Sequence, residues 1–449
     1  MAPVDLQSLA QAAVEAARRA GAEAADVLAQ SGHSISIDVR GGTLEQADRD
    51  EGCQIGLRVL IGGRQASVSS ADTTPDAIAA MAERAVAMAR EAPVDDTVGL
   101  ADPAQLAHMR DAAGLQLADD GPDPRPDRLQ DMALRAEAAA RDMPGIAQVE
   151  SASAGSGRQV LWLAASNGFS GGYERTTHAV SAVAITGEGL AMERDYAGES
   201  RAWAADLPAP EEIGRLAAER ALARAGSRKP PTGAFPILYD RRVAGSLIGH
   251  LLSAINGSAV ARGASWLRKD LGRAVLPEGF DLTEDPLRPR YPSSRPFDAE
   301  GLPTRRRRIV ENGILQGWTL DLATARKLGM DSTASATRGM ASAPSPMTGN
   351  VILTPGVATP DDLIADMGRG LVVTSMLGAS INGTTGDYSR GAAGFWVEHG
   401  RISHPVNECT IAGNLRDMLM TLAAADDALP WRGIEVPSLL VRGMTVAGA

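Results

Sequence analysis

Aromatic residues are scarce, with Phe, Trp and Tyr making up 4% of the 449 residues. A core built around large rings is therefore excluded. The chain is 44% hydrophobic and rich in glycine, so small and aliphatic side chains must fill a sizeable interior with closely packed backbone. Cysteine is nearly absent. Cys53 and Cys409 stand far apart and form no Cys-x-x-Cys, which rules out a disulfide framework and suits a reducing cytosol. There is no apolar run long enough to cross a bilayer. There is also no basic start followed by an apolar stretch, so no secretory leader is expected and a cytoplasmic location is. Positive charge is in deficit, with a formal net charge of -11. Such a chain is a poor general binder of nucleic acid or of anionic membrane.

Familiar chemical motifs are missing too. None of the six histidines (His33, His108, His178, His250, His399, His404) is followed by Glu, so no His-Glu-x-x-His occurs. His399 and His404 are the closest pair, but they flank a turn with no convincing third ligand. No metal site is expected in this chain. Without a Gly-Lys dipeptide there is no Walker-type phosphate loop. Gly168-Phe169-Ser170-Gly171-Gly172 matches the nucleophile elbow by letter. The elbow needs a helix after its serine, whereas residues 173–185 alternate as a strand does, so a glycine turn is expected.

What is present reads as an α+β protein of roughly two to three domains by length. Helices are expected over 5–19, from Thr74-Pro75 to about 90, over 128–141 and over 210–225. Strands are expected near 35–39, 54–61, 64–70, 147–153, 159–164, 178–185 and 190–196, with Gly41-Gly42 and Gly62-Gly63 as turns. Residues 92–127, rich in Pro, Asp and Gly, read as a surface excursion. Arg228 to Gly233 reads as a linker. It divides an N-terminal domain of helices on a largely antiparallel sheet (1–228) from a β-rich domain with a few helices (233–449). In the latter, a short strand at 235–239 runs into a helix at 243–255, and residues 256–296 are irregular. A hairpin turns at Asn312-Gly313, and further strands are expected at 351–353, 371–376 and 439–446. Arg305 to Arg308 is the one dense basic run, best explained by an exposed strand or an acidic partner surface.

The richest stretch is 386–414. Gly386-Asp387-Tyr388-Ser389-Arg390-Gly391 opens it, a hairpin follows around His399-Gly400, and a helix starts after Asn414. Its polar opening has two readings. It is a site beside a bend, or a hairpin corner stabilised by pairing Asp387 with Arg390. His250, on an apolar helix, reads first as a hydrogen-bonded core residue, and 192–196 as an ion-paired strand end.

Taken together, Met192-Glu193-Arg194-Asp195-Tyr196, Pro296-Phe297-Asp298-Ala299-Glu300-Gly301, Glu311-Asn312-Gly313-Ile314-Leu315, Ala325-Arg326-Lys327-Leu328-Gly329 and the 386–398 stretch resemble the TldD/PmbA family. The last of these resembles its PmbA (TldE) branch. The resemblance implies a two-domain cytoplasmic subunit of a dimeric metalloprotease acting on unfolded peptides; an older name for the family is modulator of DNA gyrase. In that family a TldD subunit carries zinc on a His-Glu-x-x-x-His helix. The matching positions here are Gly249, His250 and Ala254, so the resemblance implies a chain without zinc of its own. It would pair, as a hetero- or homodimer, with a zinc-bearing TldD-type subunit and help enclose an extended peptide. Asp387, Ser389 and Arg390 are the candidate peptide or partner contacts. Two rivals stand beside this: a self-sufficient hydrolase using Ser170 or His250, and a non-proteolytic regulator acting on a topoisomerase.

Overall fold

The computed structural model describes residues 5–448; residues 1–4 and 449, at the ends of the two expected domains, lie outside them. The first half is an α+β layer. Helix α1 (Leu6–Arg19) leads into strands β1 (Ala24–Arg40), β2 (Thr43–Ile61) and β3 (Arg64–Ser70), then helices α2 (Pro75–Glu91) and α3 (Pro126–Arg141). Strands β4 (Ile146–Ala165), β5 (Ser170–Thr186) and β6 (Glu193–Arg201) and helix α4 (Pro210–Ala223) complete it. The strands form one antiparallel sheet in the order β3-β2-β1-β4-β5-β6.

All four helices cover one face. Val27, Ile55, Leu57 and Val59 pack on α1 and α2. Ile37, Val39, Val149 and Val180 pack on the alanines of α3 and α4. Gly41 and Gly42 turn the first hairpin with φ of 63° and 76°, the left-handed geometry that a two-residue turn requires. The strands are longer than their alternation predicts. β2 starts at Thr43, where pairing with β1 begins, and residues 43–52 escape the alternation because they are exposed on both faces. The two strands expected between 147 and 164 are one, β4.

The second half contains β7 (Gly233–Tyr239), α5 (Arg241–Ala254), α6 (Gly257–Ala261), β8 (Leu282–Glu284), β9 (Arg307–Glu311), β10 (Ile314–Leu315) and α7 (Leu322–Leu328). Next come β11 (Ala336–Thr337), β12 (Ser345–Pro346), β13 (Val351–Leu353), α8 (Pro360–Met367), β14 (Gly370–Ile381), β15 (Asp387–Glu398) and β16 (Arg401–Asn414). Then follow α9 (Leu415–Met420), β17 (Ala423–Ala424), β18 (Ile434–Glu435) and β19 (Leu439–Ala447). Strands β16-β15-β14-β7-β19 form a ladder that closes through a β16–β19 pairing, making a five-stranded barrel. A second sheet, β10-β9-β8-β13-β18, packs around it on a shared core.

Residues 92–125 are not a surface excursion. Ala101, Leu106 and Ala107 are buried against Leu163 of β4, Phe169 of the β4–β5 turn, and Phe297, Leu302 and Leu322 of the second half. The polar composition around these few anchors conceals them in the sequence. A buried ionic joint lies beside this strap. Arg58 Nε donates to Asp26 Oδ2 at 2.9 Å, Arg338 Nη1 donates to Asp26 Oδ1, and Arg338 Nη2 donates to the Gly56 carbonyl at 3.1 Å. The Met340 carbonyl oxygen sits 2.1 Å from where a Cβ on Gly56 would stand, so only glycine lets the two halves meet there.

Candidate functional site

The local sequence sets up the site at the end of β7. Asp240 leaves the barrel and caps α5, its carboxylate accepting from the Arg242 N–H at 2.8 Å. The Asp240 N–H still bonds Val373 O at 3.0 Å. Beyond that point the neighbour of β14 is gone, since β7 pairs with β14 only at Leu371, Val372 and Val373. From Thr374 to Ile381, the side of β14 away from β15 has no strand partner among the described residues. Residues 377–380 are exposed, and Leu377 shows 70% of its surface. Helix α5 packs against β14, while residues 377–380 stay exposed.

On α5, Leu247, Ile248 and Leu251 fill the core, as an amphipathic helix should. Gly249 leaves open space where a side chain would stand, and Ala254 is buried. The His250 ring meets Tyr388 of β15 edge-on, centroids 5.7 Å apart. Its Nε2 is buried without a hydrogen-bond partner, so it is not the satisfied core histidine that its apolar helix suggests. Burial, helped by the nearby Arg390 charge, holds the imidazole below its ordinary value, which keeps it neutral at pH 7. Burial pushes the Tyr388 phenol up, and the Tyr239 phenol well up, so both stay protonated. Tyr388 Oη lies 3.5 Å from Met376 Sδ of β14, which ties the ring pair to the free edge.

The structure separates the three candidate contacts. Tyr388 and Arg390 share the strand face turned to α5, while Asp387 and Ser389 alternate to the other. Asp387 and Arg390 do not pair. Asp387 accepts from Thr385 Oγ1 at 2.6 Å and Asn414 Nδ2 at 3.1 Å, and these bonds keep its carboxyl low. Arg390 Nε donates to the Gly378 carbonyl of β14 at 2.7 Å. Ser389 lies in register with Ser380 and Ala412. Sequence reasoning misses Tyr388 as a site residue, although its two-residue spacing from Arg390 places both on one face.

Other candidates resolve as structural. Ser170 opens strand β5, not a helix, and its Oγ accepts from Trp162 Nε1 at 3.0 Å, so no elbow exists. Half of the basic run is closely paired within the chain: Arg307 turns inward to Glu284 at 2.6 Å, and Arg308 pairs with Glu311. A Ser156–His178–Asp119 trio has the elements of a triad, with contacts of 3.2 Å and 3.5 Å. His178 is only 5% exposed and Asp119 is already held by the Gly121 and Ala204 N–H groups, as in a structural contact. Two family-like motifs are joints. Glu193 and Asp195 bind Arg224 and Arg242, and Asp298 accepts from the N–H groups of Glu300, Leu302 and Ala336. A polar hollow of about 280 Å³ on the open face of the first sheet, lined by Gln30, Gly32, Gln54 and Gln159, lies apart from this site.

A catalytic zinc needs three protein donors and an activated water. The positions that the resemblance matches to the metal motif offer no side chain at Gly249, a methyl at Ala254 and one imidazole at His250, whose neighbours are a phenol and a guanidinium. Among the described residues, no group of three or more His, Cys, Asp or Glu could hold a metal ion. The donor set does not fit zinc.

Comparison with known proteins gives a consistent picture. PmbA/TldA metallopeptidase domains match in three segments: domain 1 over residues 25–89, the central domain over 119–225 and the C-terminal domain over 232–448. The chain is 37% identical over 432 residues to metalloprotease PmbA of Escherichia coli O157:H7, covering 95% of this chain and 92% of that one. It is 35% identical over 446 residues to the metalloprotease PmbA homologue of Haemophilus influenzae, covering 99% and 96%. The crystal structure of a proposed modulator of DNA gyrase from Bacteroides thetaiotaomicron superimposes with a TM-score of 0.91 at 28% identity, covering both chains completely. TldE from Thermococcus kodakarensis shares the fold, with a TM-score of 0.84 at 18% identity, covering 98% of this chain and all of that one.

Proposed function

The chain belongs to the PmbA/TldD metallopeptidase family, and from that premise we propose that it is the metal-free subunit of a two-subunit cytoplasmic protease for unfolded peptides. A TldD-type partner supplies the zinc and the activated water. This chain closes the chamber around that zinc and holds the peptide in extended form. The observation that carries the reading is the emptied donor set on α5, set beside a strand edge left free for pairing. A free edge binds any extended chain through main-chain hydrogen bonds, whatever its side chains, which suits a protease that takes many unfolded sequences. A folded protein has most of its main chain already paired internally, so enclosure and edge pairing favour unfolded substrates.

The test is to purify the chain alone and together with a TldD-type subunit, then measure zinc content and cleavage of an unstructured peptide. Cleavage is expected only with the partner, with zinc bound by the partner alone. Stoichiometric zinc and peptide cleavage by this chain alone would refute the reading. Failure to co-purify with a zinc-bearing subunit would count against the pairing.

A further inference from the structure

We propose that a small well between the end of β6 and the second half binds an oxyanion, a phosphate or carboxylate group, through Arg175, Arg201 and Arg290. The inference goes beyond the peptide-holding role and does not rest on it.

The well is a defined cavity. Strand β6 stops at Arg201, opposite His178 of β5. Past that end, Arg175 and Thr177 of β5, Ser200 and Arg201 of β6, and Arg290 and Trp431 of the second half line about 70 Å³ of space. A single water needs roughly 10–15 Å³. There is room for a few waters or for one phosphate or carboxylate group. Trp431 closes one side, its ring stacked on Tyr291 at 5.2 Å and facing the Arg201 guanidinium at 5.8 Å.

The walls carry an excess of positive charge. No carboxylate lines the well. Behind the walls, Glu199 pairs with both Arg201 and Arg432, at 2.7 Å and 2.6 Å, and Asp206 pairs with Arg290 at 3.0 Å. Arg175 pairs with no acid among the described residues; its Nη1 donates to the Pro292 carbonyl at 2.7 Å and its Nη2 to that of Ser294. Four guanidiniums thus share two carboxylates, which leaves two positive charges over. The chain as a whole carries -11, so this excess is local. Like charges held this close repel, and an anion between them relieves the repulsion.

Donors are left over as well. Arg175 bonds through Nη1 and Nη2, Arg290 through Nε and Nη1, and Arg201 through Nη1. Arg175 Nε, Arg201 Nη2 and Arg290 Nη2 make no hydrogen bond among the described residues, and none of the three is sealed from the surface as Arg201 Nε is. Thr177 and Ser200, both exposed, add hydroxyls. Guanidinium N–H groups match the oxygens of a carboxylate or phosphate in pairs. The loops that bring two of these walls are strained. Arg290 and Trp431 take φ of 63° and 67°, and Gln116, whose Oε1 accepts from Arg290 Nε, takes 49°. Non-glycine residues in that region are uncommon, and such strain gathers at ligand sites.

Arg175 and Thr177 also line the polar hollow of about 280 Å³, so the two cavities are neighbours. The oxyanion therefore has two sources: free phosphate, or an acidic side chain of a peptide lying in the hollow. Titration calorimetry on the full chain, at constant ionic strength set with sodium chloride, separates them with three probes. These are inorganic phosphate, an unstructured hexapeptide with one central Glu, and the same hexapeptide with Gln there. Saturable binding of phosphate identifies the free anion. Binding of the Glu peptide about tenfold tighter than the Gln peptide identifies the peptide side chain. Either signal should weaken about tenfold in Arg175→Gln and vanish in Ser200→Glu, which places a carboxylate in the well, while Ser200→Gln keeps most of it. Ser200 is exposed, so its two variants decide the matter should Arg175→Gln fail to fold. No saturable phosphate binding together with equal affinity for the two peptides overturns the site. Binding that survives undiminished in Ser200→Glu and Arg175→Gln overturns the assignment to this well.

Discussion

Replacing Asp26 by asparagine tests what joins the two halves. The Asp26 side chain is 3% exposed, as is that of Arg58, and that of Arg338 is fully buried. Burial alone would raise the carboxyl of Asp26, but the two guanidiniums outweigh it and hold the group below its ordinary value. An asparagine there would keep the shape and lose the charge. Its carboxamide oxygen could accept from one arginine, but its NH₂ group would point a donor at the other. Two buried cations would then share no anion within contact, and removing one partner from a buried ionic group costs about 3–5 kcal/mol. That is a large fraction of a typical stability of about 5–15 kcal/mol. The sharper measurement compares Asp26→Asn with the triple variant Asp26→Leu, Arg58→Leu, Arg338→Met. Apolar groups of similar volume remove all three desolvation costs together, so the triple variant is expected to be more stable than the single one. Urea unfolding followed by tryptophan fluorescence, with hydrogen exchange on β1 and β2 as a second probe, reads both. If Asp26→Asn unfolds within about 1 kcal/mol of wild type, or the triple variant is the less stable, the joint is not held as argued.

Glu300 and Asp298 are neighbouring buried acids. Burial raises the carboxyl of Asp298 in spite of the three backbone N–H groups it accepts from, and burial first and Asp298 second push Glu300 well up. Between 4.5 and that raised value the folded chain holds a proton that the unfolded chain has released, so stability falls as pH rises through this window. Glu300→Gln keeps an acceptor for the Leu322 N–H and should reduce the slope; thermal melts from pH 5 to 8 that run parallel to wild type would contradict this. His178 is a base pushed down, chiefly by burial. Below 6.5 the unfolded chain takes up a proton first, so stability is lost as pH falls, and NMR titration should find this imidazole protonating below 6.5. At Gly394 an added Cβ would stand 1.8 Å from Val372 O, whereas at Gly391 its nearest contact is 3.3 Å. Gly394→Ala should cost about 3 kcal/mol, the upper end for overpacking, and Gly391→Ala far less; equal denaturation midpoints would refute the contrast.

The sequence reveals what is local and what repeats along one face. Ile35, Ile37 and Val39 alternate because α3 covers that side of the sheet, and Gly41-Gly42, Asn312-Gly313 and His399-Gly400 turn because each pair takes positive φ. The α+β class and the helix bearing Gly249, His250 and Ala254 follow from the same patterns. What escapes is set by distance along the chain. Residues 43–52 belong to a strand through pairing with β1 alone, and Leu106 is buried by residues from both halves. Choosing candidate contacts by closeness in sequence mixes the two faces of β15 and leaves out Tyr388. The free edge is the clearest case. Nothing within β14 says that it lacks a neighbour after Val373. That is decided where β7 ends, at Asp240, a residue that a sequence reader sees as an ordinary helix cap. Capping α5 there does two things at once. It ends the pairing of β7 with β14 at Val373, and it sets His250 of α5 against Tyr388 of β15. The unpaired edge and the position of the imidazole therefore both follow from a single early helix start at Asp240. Extending β7 past Asp240 would close the edge and displace His250 together.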